Sequence, residues 1–127
     1  MPTIVLAAFI EGSRVLMARR ADHKKQYPGH WDLIGGHVDR GESLDAALVR
    51  EAEEEVGLTP TVFRRLGVFN DDENEADYHL YVVNNWQNGR PRLLGDEHTE
   101  LAWISVSNIN TVTPLAHPEI ISLLEPV

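Results

Sequence analysis

The chain has 127 residues, of which 43% are hydrophobic and 24% charged, a balance that suits one compact domain with a real core and argues against disorder. A formal net charge of −9 argues against broad binding of nucleic acid or anionic membrane through a basic surface. The absence of cysteine excludes disulfides, thiolate zinc sites and cysteine nucleophiles.

In chain order, Thr3 to Ile10 is an apolar run that reads as a buried strand. It is far short of a membrane span and lacks the basic flank of a signal peptide, so a cytoplasmic protein is expected. Glu11-Gly12-Ser13 predicts a turn and Arg14 to Arg19 a second strand, together a hairpin. Ala21 to Gly29 is a polar loop punctuated by Pro28-Gly29. Trp31 to Ile34 predicts a short strand that Gly35-Gly36 stops. Ser43 to Val56 is the clearest helix, with Ser43 as its cap and Gly57 placed to end it. Strands follow at Thr61 to Phe69, Tyr78 to Trp86 and Leu101 to Val106, separated by an acidic loop at Asn70 to Ala76 and a turn at Asn88 to Pro91. Pro118 to Leu124 predicts a C-terminal helix with proline in its first turn. Strands wrapped around one central helix and closed by another predict a single layered α/β (α+β) domain over residues 1–127, a mixed β-sheet sandwiched between helices.

The chemistry gathers on the central helix. Glu51, Glu54 and Glu55 stand at i, i+3 and i+4, spacings that share a helical face. With Glu53 they form an acidic cluster that has only Arg50 as a basic neighbour on the helix. A hard divalent cation, Mg²⁺ or Mn²⁺, is the natural relief for such oxygen-rich repulsion, and it also lets an acidic protein accept a polyphosphate. The six histidines show no local ligand spacing such as H-x3-H, so zinc is not expected. His37 and His98 are placed near the oxygen-rich region.

The segment from Gly36 through Glu42, Arg50-Glu51 and Glu54-Glu55 to Gly57-Leu58 resembles the Nudix box, G-x5-E-x7-R-E-U-x-E-E-x-G-U, where U is aliphatic. The invariant positions all match, and Ala52 at a U position is the one soft departure. A chance match is on the order of one in 10⁸ per start position. The approach Tyr27 to Gly36 and the spacing of later strands are also similar to the small MutT-like branch of that family, so the resemblance runs over nearly the whole chain. It implies a Nudix fold and a metal-dependent hydrolase that cuts a diphosphate linkage in a small nucleotide substrate. The substrate expected first is a nucleoside triphosphate, giving monophosphate and pyrophosphate. A nucleotide-sugar or dinucleotide hydrolase and a non-catalytic nucleotide-sensing module are the alternatives.

The resemblance also implies roles. Glu51, Glu54 and Glu55 would be metal ligands, with the carbonyl of Gly35 or Gly36 and a distal carboxylate, Glu97 ahead of Glu100, completing the set. Glu51 would also orient or deprotonate the attacking water. Arg50 would hold the carboxylates in place with Glu42 as a partner. Arg19 is assigned to phosphate in preference to Arg20. Tyr78, Trp86, the loop Asn70 to Asp77 and the segment Leu115 to Pro118 are candidates to hold a base. In the MutT type an asparagine in that last segment helps recognise an oxidised guanine; this chain aligns His117 there, which predicts only modest preference for that base.

Overall fold

Two-sided burial explains the first strand. The computed structural model describes residues 2–73 and 75–127. In it, β1 (Thr3–Glu11) lies in the middle of the sheet. Its side chains alternate between two separate cores, Ile4, Leu6 and Ala8 on one face and Val5, Ala7 and Phe9 on the other, and a strand covered on both faces has no polar positions to alternate with.

The remaining strands are β2 (Arg14–Arg20), β3 (Trp31–Asp32), β4 (Ile34–His37), β5 (Thr59–Asp71), β6 (Ala76–Gln87) and β7 (His98–Ser105). The order is β3-β2-β1-β6-β5, with β4 on β1 and β7 on β2. β1 runs parallel to β6, pairing Leu6 with Leu80, and the other pairings are antiparallel. One edge of β1 is divided: Ile4 to Ala7 pair with β4, while Ile10 and Glu11 pair with β2. The hairpin therefore splays open, and β4 enters the gap.

Helix α1 (Leu44–Val56) covers one face of the sheet and α2 (Glu119–Leu124), with a 3-10 turn at Val106–Thr111, covers the other. The sheet is thus sandwiched between helices, as the sequence predicts. Ser43 accepts a hydrogen bond from the Ala46 amide at 3.1 Å and Gly57 closes the helix in the left-handed region at φ 72°, so both capping expectations hold. Leu48 on the inner face is 1% exposed; burial of a leucine side chain is worth roughly 1.5–3 kcal/mol. Among the described residues, no helix is long and apolar enough to cross a membrane.

Two expectations are corrected. Gly35-Gly36 do not stop a strand; they lie inside β4, paired with Leu6 and Val5. Neither has a positive φ, so space rather than backbone freedom demands glycine. A Cβ on Gly35 would meet the Val5 carbonyl oxygen at 1.9 Å. The last strand begins earlier than expected, at His98, because Arg20 pairs with His98 and Arg19 with Glu100 across the sheet. Of the acidic loop, Asn74 lies outside the described residues.

Candidate active site

The site forms where α1 crosses β4. The buried face of α1 consists of Ala47, Leu48, Ala52, Glu55 and Val56, so one carboxylate occupies a place where the pattern calls for an apolar side chain. Glu55 is 5% exposed, and Glu51, one turn earlier, is 13% exposed at its side chain. At about 100° per residue, Glu54 falls on the far flank from Glu55; it is 59% exposed and pairs with Arg50 at 3.2 Å. Glu51 sits directly over Gly36: a Cβ there would meet the Glu51 carboxyl group at 2.5 Å. On its other side Glu51 receives Arg50 Nη1 at 2.8 Å.

Arg50 is fully engaged. Its Nε and Nη2 donate to Glu42 at 2.8 and 3.0 Å, Nη2 also to the His37 carbonyl at 2.9 Å, and Nη1 to Glu51 and Glu54. One rigid guanidinium thereby fixes the helix to the loop that precedes it. The hydrogen bond from Arg50, aided by the Asp39 amide, holds the Glu42 carboxyl down at about 2.

Glu97 arrives from the connection between β6 and β7. That connection is tied to the end of α1, because the Arg92 amide donates to the Val56 carbonyl at 3.0 Å and the Leu94 amide to the Glu55 carbonyl at 3.1 Å. The Ala21 amide then donates to the Glu97 carbonyl at 2.9 Å, and the Glu97 carboxylate takes Lys24 Nζ at 3.2 Å. His98 Nδ1 stands 3.6 Å from Glu55.

Crowding of carboxylates in a dry setting sets the electrostatics. Burial pushes Glu55 well up, and its hydrogen bond to Glu97 and the nearby charges of Glu51, Glu97 and Asp32 push it further. Glu51 is also raised, first by burial, against the pull of Arg50. Burial alone would raise Glu97 too, but its bond to Glu55 and the ammonium of Lys24 bring it below the usual range. Burial drives His98 down to about 4, so its imidazole is neutral at pH 7. Of the Glu55–Glu97 pair, Glu55 is thus the carboxyl that takes up a proton more readily. The Glu55 Oε2 atom is buried with no donor facing it. A buried acceptor without a partner is costly, and an all-oxygen group of this kind suits a hard cation. Among the described residues, no three acidic or imidazole side chains already stand close enough to form a finished cage, and the geometry gives the reason: Arg50 holds Glu54 outside the cleft and pulls on Glu51.

The cleft continues past β4 to an aromatic end. The Trp31 amide donates to the Pro114 carbonyl at 2.8 Å and the Ala116 amide to the Trp31 carbonyl at 2.9 Å, which pins the C-terminal segment beside β3. His117 thus arrives between two carboxylates, Nε2 at 3.6 Å from Asp32 and Nδ1 at 3.7 Å from Asp71. Its ring packs against Tyr78 with centroids 4.3 Å apart and against Tyr27 at 5.1 Å. Asp32 is raised by burial and pulled back by His117 and Arg20. The backbone of His117 starts α2, its carbonyl accepting from the Ile120 amide at 3.1 Å, while the ring faces the cleft.

Of the residues singled out from sequence, Gly35, Gly36, Glu51, Glu55, Glu97, Tyr78 and His117 line this one cleft, as do His37 and His98. Glu54 does not. Arg19 does not either: it bonds the Gly29 carbonyl and Glu100, and Arg20 lines the cleft in its place. A register shift between Arg19 and Arg20 against β7 breaks the strand's alternation, which no reading of the sequence could locate. Glu100 lies in β7 with Arg19, not in the cleft. Trp86 sits at the far end of β6, stacked against Trp103. Sequence reasoning missed Asp32, Lys24 and Tyr27, which also line the cleft; only the position of Asp32 four residues before Gly36 hinted at it.

Residues 1–124 match the NUDIX domain family. A relative from Salmonella agona, nucleoside triphosphatase NudI, is 32% identical over 113 residues, which is 80% of each chain. A MutT NUDIX hydrolase from Burkholderia pseudomallei superimposes with a TM-score of 0.86 at 30% identity, over 99% of this chain and 97% of that one. The ORF135 protein of E. coli superimposes with a TM-score of 0.81 at 31% identity, over 98% and 86%.

Proposed function

Because the chain belongs to the Nudix hydrolase family, whose members act on nucleotide diphosphate linkages, we propose that its substrate is a nucleoside triphosphate, cleaved to monophosphate and pyrophosphate with Mg²⁺ or Mn²⁺ bound. The observation that carries this reading is the buried Glu55 carboxyl, with one oxygen unpartnered, facing Glu97 and lying beside Glu51. Such a group is stable only when protonated or when it holds a cation.

Glu51, Glu55 and Glu97 would hold the cation, joined by a carbonyl of Gly35 or Gly36 and by Glu54 if it rotates inward. When bound, the cation would neutralise phosphate charge, draw the substrate into an acidic cleft and stabilise the leaving phosphate. Glu51 orients and deprotonates the attacking water. Arg50 fixes the Glu51 carboxylate from behind, and the Gly36 backbone, with no side chain, leaves it room. Water attacks one phosphorus in line, its oxygen forms the new P–O bond, the bridging P–O bond breaks, and the bridging oxygen leaves on the phosphate that departs. Tyr78 and His117 at the aromatic end receive the base, and the packing of His117 between Asp32 and Asp71 and against Tyr78 and Tyr27 fixes the edge it presents.

A substrate panel with Mg²⁺, its products separated by chromatography, tests the reading. Equimolar monophosphate and pyrophosphate from a nucleoside triphosphate supports it. Two monophosphates from a nucleotide-sugar or dinucleotide, with triphosphates untouched, would replace the substrate class. Nucleotide binding with no turnover of any compound would point to a sensing module.

A further inference from the structure

Lys24 is the loose cation of the cleft. The cleft is lined by five carboxylates, Asp32, Asp39, Glu51, Glu55 and Glu97, and by Arg20 and Lys24. Arg20 is committed: its Nε donates to the Gln26 carbonyl at 2.9 Å and its Nη1 lies 3.6 Å from Asp32. Arg50, behind the cleft, has each nitrogen engaged. Lys24 Nζ, by contrast, contacts a single partner among the described residues, Glu97 Oε1 at 3.2 Å, and its side chain is 26% exposed. An ammonium has three donors, so two remain, at the mouth of the site and next to a proposed cation-holding carboxylate. The backbone around it is held in place by the Lys24 amide on the Ala21 carbonyl at 3.2 Å and the Ala21 amide on the Glu97 carbonyl. The base of the side chain is therefore fixed while its tip can turn.

We propose that Lys24 is a substrate-binding residue that contacts the polyphosphate chain, giving up or sharing Glu97 when substrate enters. This rests on the proposed triphosphate reading. The chemistry suits a lysine: a compact charge on a flexible stem grips phosphate as a point charge, without the fixed fork of an arginine. The electrostatics favour it as well, since a cleft lined by five carboxylates admits a polyanion more readily when a free ammonium adds to the positive charge there. Position 24 lies in the loop between β2 and β3, outside the segment that holds the helical carboxylates, so it tunes binding without holding the cation itself.

The test uses a convenient property of the chain: Lys24 and Lys25 are its only lysines, and Lys25 is exposed. The intact protein is acetylated with an amine-reactive ester, and both lysines are followed by peptide mass spectrometry, with Mg²⁺ alone, with Mg²⁺ and inorganic tripolyphosphate, and with Mg²⁺ and a nucleoside lacking phosphate. At saturating tripolyphosphate, Lys24 acetylation is expected to slow by about fivefold or more, with Lys25 unchanged and the nucleoside without effect. In parallel, Lys24→Ala raises KM by about tenfold with kcat within about threefold, and Lys24→Arg recovers most of the loss. Unaltered Lys24 acetylation in a wild-type protein that does hydrolyse triphosphates overturns the proposal and leaves the function standing. A fall in kcat at constant KM also overturns it, because it would make Lys24 a positioning residue for Glu97. A wild-type protein that hydrolyses no triphosphate removes the function reading, and the proposal with it.

Discussion

Gly36→Ala and Gly35→Ala are expected to differ, because one glycine makes room for the Glu51 carboxyl and the other for the central strand. At Gly36 a Cβ would lie 2.5 Å from the Glu51 carboxyl carbon and 2.5–2.6 Å from its oxygens. These atoms end a flexible side chain, so Glu51 can swing aside, and the stability cost should stay under about 1.5 kcal/mol. The swing is costly for chemistry, because Arg50 at 2.8 Å fixes the native position; a displacement of about 1 Å in a catalytic group costs on the order of 10² in rate, or about 2.7 kcal/mol in the barrier. At Gly35 the Cβ would meet the Val5 carbonyl oxygen at 1.9 Å. That oxygen belongs to the central strand and cannot yield without parting β1 from β4, so about 3 kcal/mol or more is expected, a drop of about 10 °C in Tm. Calorimetry and pyrophosphate release, measured on both variants, decide the matter. Gly36→Ala should unfold within a few degrees of wild type (about 5 °C or less) while losing most of its kcat. Full kcat in Gly36→Ala, or equal loss of stability in the two, would show that Gly36 does not set the position of Glu51.

Four other expectations follow from the same geometry. Removing divalent metal with EDTA should abolish hydrolysis, and adding back Mg²⁺ or Mn²⁺ should restore it; full activity in verified metal-free protein would contradict the cation site. Glu51→Gln should lower kcat by roughly 10² or more, whereas Glu53→Gln, whose carboxylate accepts from Thr59 Oγ1, should leave it near wild type, as comparison of the two purified variants would show. His117→Asn should alter the ratios of kcat/KM among the bases, because an amide sets donor and acceptor side by side where imidazole sets them apart; wild type should favour 8-oxo-dGTP over dGTP by less than about 2 kcal/mol, and unchanged ratios in the variant would remove His117 from base recognition. The Glu42 carboxyl sits at about 2 in the fold against an ordinary 4.5, so its stabilisation is complete above pH 4.5 and fades as the pH falls towards 2; the Tm gap between wild type and Glu42→Gln should therefore close across that window, and a gap that persists at pH 2 would show another origin.

Local features were legible in the sequence because local chemistry makes them. Ser43 and Gly57 cap α1 by rules that involve only neighbouring residues, and Glu51 and Glu55 share a flank through helical periodicity alone. The same periodicity places Glu54 within reach of Arg50 at i, i+4, but does not reveal that this guanidinium is anchored on Glu42 and so keeps Glu54 out of the cleft, since that depends on where the Glu42 loop folds back. Gly35 and Gly36 read as strand breakers because their reason lies elsewhere in the chain, in the Val5 carbonyl and the Glu51 carboxyl that press against them. Arg20 was passed over for Arg19 because a bulge inverts the strand's facing at that step. Asp32 and Lys24 have no local signature: each becomes part of the cleft only when β3, β7 and the C-terminal segment are brought together. Glu97 could be named from the family pattern, but its contact with Glu55 depends on the strap from Arg92 to Leu94 along the end of α1.

Phosphorus NMR of a nucleoside triphosphate incubated with Mg²⁺ and either wild-type protein or Glu55→Gln shows directly whether the buried carboxylate supports cleavage to monophosphate and pyrophosphate. Pyrophosphate and monophosphate are expected in equal amounts from the wild type, at a rate on the order of 10² or more above the variant, with the variant still folded. Equal rates from the two proteins, or orthophosphate and nucleoside diphosphate as the products, would contradict it.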